Sequence, residues 1–154
     1  QTRPGIGLFG IDNFGNNIQL NSRRLKLPLS LHGPVIQLRD VDIGEKVSYG
    51  GVDITKRKSK LATIGIGYAD GWLRLLKPNS SFFIMKKKCK IIGNITMDSF
   101  VLDVTDLKEK LLKEGDYLCL LDNTNIKNIV TKLDIISYEL LTIMGNRLLR
   151  KYNS

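Results

Sequence analysis

Histidine is nearly missing from this chain and cysteine is scarce: among 154 residues there are one histidine, His32, and two cysteines, Cys89 and Cys119. With so few ligands and no second cysteine pair, neither a zinc cluster nor a disulfide framework can be built, and reduced thiols in a cytosolic protein are the expectation. No apolar run reaches the roughly 18 residues of a membrane span. The N-terminus also lacks the basic-then-apolar pattern of a signal peptide, so cytoplasmic localisation is expected. Repeats and low-complexity tracts are missing too, which argues against a fibrous or disordered chain. There is no initiator methionine, and the opening "QTRPGIGLFG" reads as a cut through a larger protein.

What is present is an ordinary globular composition, 42% hydrophobic and 25% charged, in a chain long enough to bury a core. The formal charge is +9, and clustered Lys and Arg attract phosphates at long range. The surplus is scattered, however. Its densest runs, "TKRKSK" at 55–60 and "MKKKCK" at 85–90, fall between strand-like segments, where solvated hairpin tips are usually charged. A basic nucleic-acid-binding barrel would need aromatic side chains exposed beside those lysines on one sheet face.

The opening "RPGIGLFGI" has the apolar character of a buried strand, and the Asn- and Gly-rich "DNFGNNIQLNSRR" after it that of a surface loop. Short extended runs then recur: "PVIQLRDV", "EKVSYGGV", "LATIGIGY", "SFFIM", "CKIIGNI" and "SFVLDV". Turn residues in "DIGE", "ADG", "KPNSS" and "EGD" separate them, as in a small Greek-key-like β-barrel or sandwich. Two short helices are predicted near the C-terminus. One begins at Thr124; the other places Ile135, Tyr138 and Leu141 or Thr142 at helical spacing before Gly145. "NRLLRKY" reads as a last strand or tail.

A phenol ordinarily titrates near about 10 and acts as a base only where neighbours lower that value. Taken alone, Tyr68 in "GYADG" reads first as a core-edge tyrosine capped by a turn at Asp70 and Gly71 and only second as a base. In "GNITMD", Met97 is ordinary packing and Asp98 an ordinary turn residue. Tyr138 can bury its ring while its hydroxyl reaches a polar group. Arg3 needs an acceptor wherever it is buried, and the peptide groups of Gly5 and Ile6 offer donors to an anion.

As an ordered set, "RPGIGLFG", "VSYGG", "IGYADGWLR", "GNITMD", "DVTD", "EGD" and "ISYELLTIMGNRLLRKY" resemble the C-terminal part of the pyridoxal-phosphate-dependent alanine racemases, over essentially the whole chain. The resemblance implies that residues 1–10 are the last strand of an N-terminal (β/α)8 barrel and residues 11–154 the C-terminal β-domain. In such an enzyme the barrel holds pyridoxal 5'-phosphate through a lysine outside this chain. The β-domain completes the active site of the other subunit of a homodimer that interconverts L- and D-alanine, a peptidoglycan precursor.

By the same resemblance Tyr68 is the catalytic base on the cofactor face opposite the lysine. Arg3 meets the pyridine nitrogen, the N–H groups of Gly5 and Ile6 and the Tyr138 hydroxyl hold the phosphate, and Met97 and Asp98 form the substrate side, with the Met97 backbone near the alanine carboxylate. Two departures stand out: Asn94 replaces an arginine common in the family, and Pro4 removes one N–H beside the phosphate. The lysine motif of the barrel has no match here, so the chain alone is expected to be inactive. The alternative is a decayed or repurposed fragment that serves only as a folded binding module. In isolation the domain is expected to expose the surface around Tyr68, Met97 and Trp72.

Overall fold

The computed structural model describes residues 1–11, 26–77, 81–84, 87–108 and 111–152. Within these, the strands are β1 (Leu31–Val41), β2 (Lys46–Val47), β3 (Asp53–Ile54), β4 (Ser59–Ile64), β5 (Ser81–Ile84), β6 (Lys87–Ile92), β7 (Phe100–Asp103) and β8 (Tyr117–Leu121). Two helices follow, α1 (Ile126–Leu133) and α2 (Ser137–Thr142). The architecture is the mainly β one expected, with two short helices. Six strands form one antiparallel sheet in the order β5-β6-β7-β4-β1-β8, curled into a nearly closed barrel, while β2 and β3 pair apart from it.

The long strand β1 makes the closure possible. Its first part, Leu31 to Pro34, pairs with β8, and from Val35 onward it pairs with β4. The register shifts between Leu31 and His32 and again between Val35 and Gln37. Bulges of this kind bend a strand and increase its twist, which lets one strand serve two neighbours at a corner. Pro34 sits at the change of partner, where its missing N–H is tolerated.

The central strands supply the interior. Ala62 and Ile64 of β4 and Phe100 and Leu102 of β7 alternate toward it, joined by Leu120 and Leu121 of β8 and by Leu140 of α2; Leu61, on the other face of β4, is buried as well. Trp72, which follows the "GYADG" turn, is 1% exposed and packs against Phe100 and Phe82 with ring centroids 6.0 and 5.8 Å away.

Several expectations change. The opening segment is not a strand: Ile6–Phe9 is a single 3-10 turn, with Leu8 and Gly10 N–H groups bonded back to the Gly5 and Gly7 carbonyls. A strand needs a neighbour to take its hydrogen bonds, and none pairs with this segment among the described residues; Ile6 and Ile11 nevertheless join the core. "EKVSYGGV" yields only the two residues of β2, because positive backbone angles at Ser48, Gly50 and Gly51 end the extended run. Lys87 to Lys90 lie within β6 and not at a hairpin tip; their exposed ammonium groups flank a buried Cys89. The first helix starts at Ile126, after Asp122 has bound the N–H of Thr124. The C-terminal "NRLLRKY" is a tail without strand pairing. Trp72 is core, whereas Tyr68 and Met97 are exposed as expected. The loop read at 12–24 falls outside the described residues, except as its sequence shows.

Candidate active site

After β4 the chain turns sharply through Tyr68–Asp70. The buried Asp70 carboxylate closes this turn by accepting the Gly67 N–H at 2.9 Å. The turn then docks on a distant segment: the Tyr68 N–H donates to the Thr96 carbonyl and the Ala69 N–H to the Met97 carbonyl, each at 3.0 Å. Gly67 permits this approach, because a Cβ there would overlap the Thr96 and Met97 carbonyls. Two motifs far apart in sequence, "GYADG" and "TMD", thereby share one surface on which Tyr68 is 44% and Met97 52% exposed.

Arg147, in the tail, joins the same two motifs from outside. Its guanidinium lies 3.4 Å from Asp70 Oδ1 and 2.6 Å from Asp98 Oδ1. The contact with Asp98 is the chief reason the guanidinium holds its proton more firmly than usual, with Asp70 adding to it. Nothing in the local sequence marked this residue. The expected consequence of Gly67→Ala is a loss of about 1–3 kcal/mol of stability from forced overlap. Urea unfolding measures that cost, and faster amide exchange at Tyr68 and Ala69 would accompany it.

A second phenol stands beside this surface. Tyr49 is 80% exposed and occupies a short turn between β2 and β3. Ser48, just before it, has φ 65°, and Gly50 and Gly51, just after it, have φ 75° and 56°. A left-handed serine costs energy and persists only where its surroundings enforce it, a pattern that gathers at functional sites. Here the enforcement comes from the segment that leads to Met97. Ser48 Oγ donates to the Asn94 carbonyl at 3.0 Å, and Asn94 Nδ2 donates to the Tyr49 carbonyl at 3.4 Å. Tyr49 also lines a cavity of about 350 Å³ with Asn94, Thr96, Ser99 and Phe100. "VSYGG" carried the signal for this site, a tyrosine between turn-prone residues at a strand end.

Behind this turn, Asp53 accepts the Gly93 N–H at 2.7 Å and meets Lys77 Nζ at 2.8 Å. The hydrogen bond from Lys77 is the main reason its carboxyl lies below the usual carboxylate range; burial opposes it and the Gly93 N–H assists. Gly93 has φ 78°, and a Cβ there would come within 2.5 Å of Ser48 Cβ.

The residues expected to hold a cofactor form a separate group. Arg3 and Gly5 are exposed, and Ile6 is buried by its side chain. Tyr138, in the first turn of α2, places its hydroxyl 2.9 Å from where a Cβ of Gly5 would stand. The phenolic hydroxyl thus lies against a bare glycine backbone, so that a hydroxyl donor and peptide N–H groups stand close together. No hydrogen bond or ion pair among the described residues joins this group to Tyr49, Tyr68, Met97 or Asp98.

The family model for the alanine racemase C-terminal domain matches residues 28–152. An alanine racemase of Brucella canis is 40% identical over 160 residues, 97% of this chain and 40% of that protein. One of Ruegeria is 38% identical over 154 residues, covering 99% of this chain and 41% of the relative. In structure, the chain superposes on an alanine racemase from Bartonella henselae with covalently bound pyridoxal phosphate at a TM-score of 0.87, with 38% identity over 98% of this chain and 41% of that one. For the enzyme from E. faecalis the TM-score is 0.81, with 30% identity over 97% of this chain and 40% of that one. The chain spans about two fifths of the length of these relatives. It belongs to the alanine racemase family, as a C-terminal domain.

Proposed function

We propose that this chain supplies half of the active site of an alanine racemase, interconverting L- and D-alanine in the cytoplasm together with a lysine-bearing N-terminal barrel. The observation that carries this reading is that two exposed phenols border the Asn94–Met97 segment: the Tyr68 N–H donates to the Thr96 carbonyl, and the Asn94 side-chain amide donates to the Tyr49 carbonyl. Racemisation removes the Cα proton from one face and returns a proton to the other, so it needs one base on each face.

Tyr49 is the phenol we assign to the face opposite the lysine. It is the more exposed of the two candidates, and it alone sits on backbone held in a strained conformation. Its phenolate oxygen takes the Cα proton in one direction, and in the other the phenol so formed delivers a proton to Cα. Tyr68, the base expected from the sequence, is the competing reading, favoured by its direct hydrogen bond to the Met97 segment. With Tyr49 as base, Tyr68, Met97 and Asp98 form the substrate-side wall, the Met97 backbone near the alanine carboxylate.

Pyridoxal phosphate bound at this site supplies the electron sink that stabilises charge at Cα. The Gly5 and Ile6 N–H groups and the Tyr138 hydroxyl, which lies against Gly5, would hold its phosphate, and Arg3 would meet the pyridine nitrogen. In the homodimer we infer, one chain serves two sites, giving the Gly5–Tyr138 group to one and its phenol to the other.

The test is conversion of L-alanine to D-alanine, with pyridoxal phosphate, by this chain mixed with a separately produced lysine-bearing barrel and by each piece alone. Conversion only in the mixture supports the proposal. Turnover by the chain alone overturns it, and an associating but inactive mixture favours a non-catalytic binding module.

A further inference from the structure

The segment that carries Tyr49 is a short hairpin whose hydrogen bonds gather at its far end, around Thr55, Glu45 and Asp42. β2 and β3 pair through only Lys46 with Ile54 and Val47 with Asp53, and an isolated two-stranded hairpin is marginal in water. The hydrogen bond from Asn94 to the Tyr49 carbonyl is long at 3.4 Å. Yet Ser48, Gly50 and Gly51 all keep positive backbone angles around the phenol. Ser48 Oγ binds the Asn94 carbonyl at 3.0 Å from one side of the turn, and a charged anchor lies behind it.

Asp53 is that anchor. It stands opposite Val47 in the ladder, and Val47 is completely buried. One carboxylate oxygen takes both the Gly93 N–H at 2.7 Å and Lys77 Nζ at 2.8 Å. The Lys77 side chain is only 15% exposed, so water does little to replace its partner. Three segments thus meet at one carboxylate: the β2–β3 hairpin, the loop that leads from Gly93 to Met97, and the chain just after Arg74–Leu76. Gly93 in turn lies against Ser48, close enough that an added Cβ would push it away.

We propose that Asp53 and Lys77 are positioning residues, whose ion pair pins the strained Tyr49 turn to Gly93 and sets the phenol at the substrate surface. Neither residue was part of the motifs that carried the family resemblance. The proposal rests on the assignment of Tyr49 as base. Its physical content is that a half-buried charge deprived of its partner no longer holds its neighbours, whereas a conservative exchange that keeps the charge still does.

The experiment uses the assembled racemase, this chain with its lysine-bearing barrel, in the parent form and as Asp53→Asn, Lys77→Met, Lys77→Arg and Tyr49→Phe. Steady-state kinetics with alanine are combined with amide hydrogen exchange. In Asp53→Asn and Lys77→Met, kcat is expected to fall about 10- to 100-fold, as for a misplaced reacting group, with KM within about two-fold. Exchange at Ser48–Val52 accelerates while β4 and β7 stay protected, and Lys77→Arg recovers most of kcat. Unchanged kcat with unchanged exchange at Ser48–Val52 overturns the proposal. So does a loss of protection spread evenly over β4 and β7, which would mean general destabilisation. Tyr49→Phe separates the two claims. If it is inactive while both pair variants are active, only the role of the pair fails; if it is fully active, the assignment of the base fails and the role of the pair falls with it.

Discussion

Tyr49→Phe in the assembled racemase is expected to lower kcat by about 10²- to 10⁴-fold, the usual contribution of a positioned acid–base group. Phenylalanine keeps the ring and loses only the hydroxyl, so the turn should survive and KM should change little. The clearest signature is an asymmetry between enantiomers. With one base gone, the lysine on the other face can still exchange the Cα proton of the enantiomer it faces. Deuterium from solvent should therefore enter one enantiomer of alanine faster than racemisation proceeds. Tyr68→Phe should weaken substrate binding more than proton transfer, raising KM by a larger factor than it lowers kcat. The reverse pattern, with Tyr68→Phe inactive and Tyr49→Phe active, would transfer the role of base to the turn at the end of β4.

Trp72→Ala should be the most destabilising single change in the described core. The indole is 1% exposed and packs on both Phe82 and Phe100, and truncation of a buried aromatic costs about 3–5 kcal/mol. Against the roughly 5–15 kcal/mol of a typical domain, that is enough to unfold a large share of molecules under mild stress. A second variant sharpens the expectation. The Trp72 indole N–H is buried with no hydrogen-bond partner among the described residues, and an unsatisfied buried donor costs about 1–3 kcal/mol. Trp72→Phe removes that liability along with some volume, so it should cost clearly less than Trp72→Ala. The midpoint of urea unfolding reports both changes; equal midpoints for the two variants would contradict the packing described for this site.

The expectations that held rested on local pattern. The apolar, turn-bounded runs "LATIGIGY" and "SFVLDV" marked β4 and β7, and apolar spacing around Tyr138 marked α2, because a strand or helix advertises its buried residues in its own sequence. β8 went unnoticed: "YLCLL" buries only its last two residues, and its partner is the start of β1, at the other end of the chain. Trp72 was expected with Tyr68 and Met97 on the surface that the resemblance implies a barrel covers, but after the tight turn its ring is buried while Tyr68 stays exposed. Arg147 and the Asp53–Lys77 pair were invisible for a similar reason. A charged residue in a loop looks the same whether it is solvated or clasps a carboxylate from another part of the chain. Tyr49 stood in plain view in "VSYGG", but what distinguishes it is the left-handed Ser48 beside it, which is a property of the folded backbone.

The two partners of β1 also bear on how the domain is made. β5, β6, β7 and β4 can pair as soon as each emerges from the ribosome, and β1 can join β4 at once. Leu31 must wait for Leu121, so the seam between β1 and β8 is the last to be sewn. Until then one side of β1 is an unpaired edge, open to another chain, and a pause in synthesis before Tyr117 would prolong that exposure.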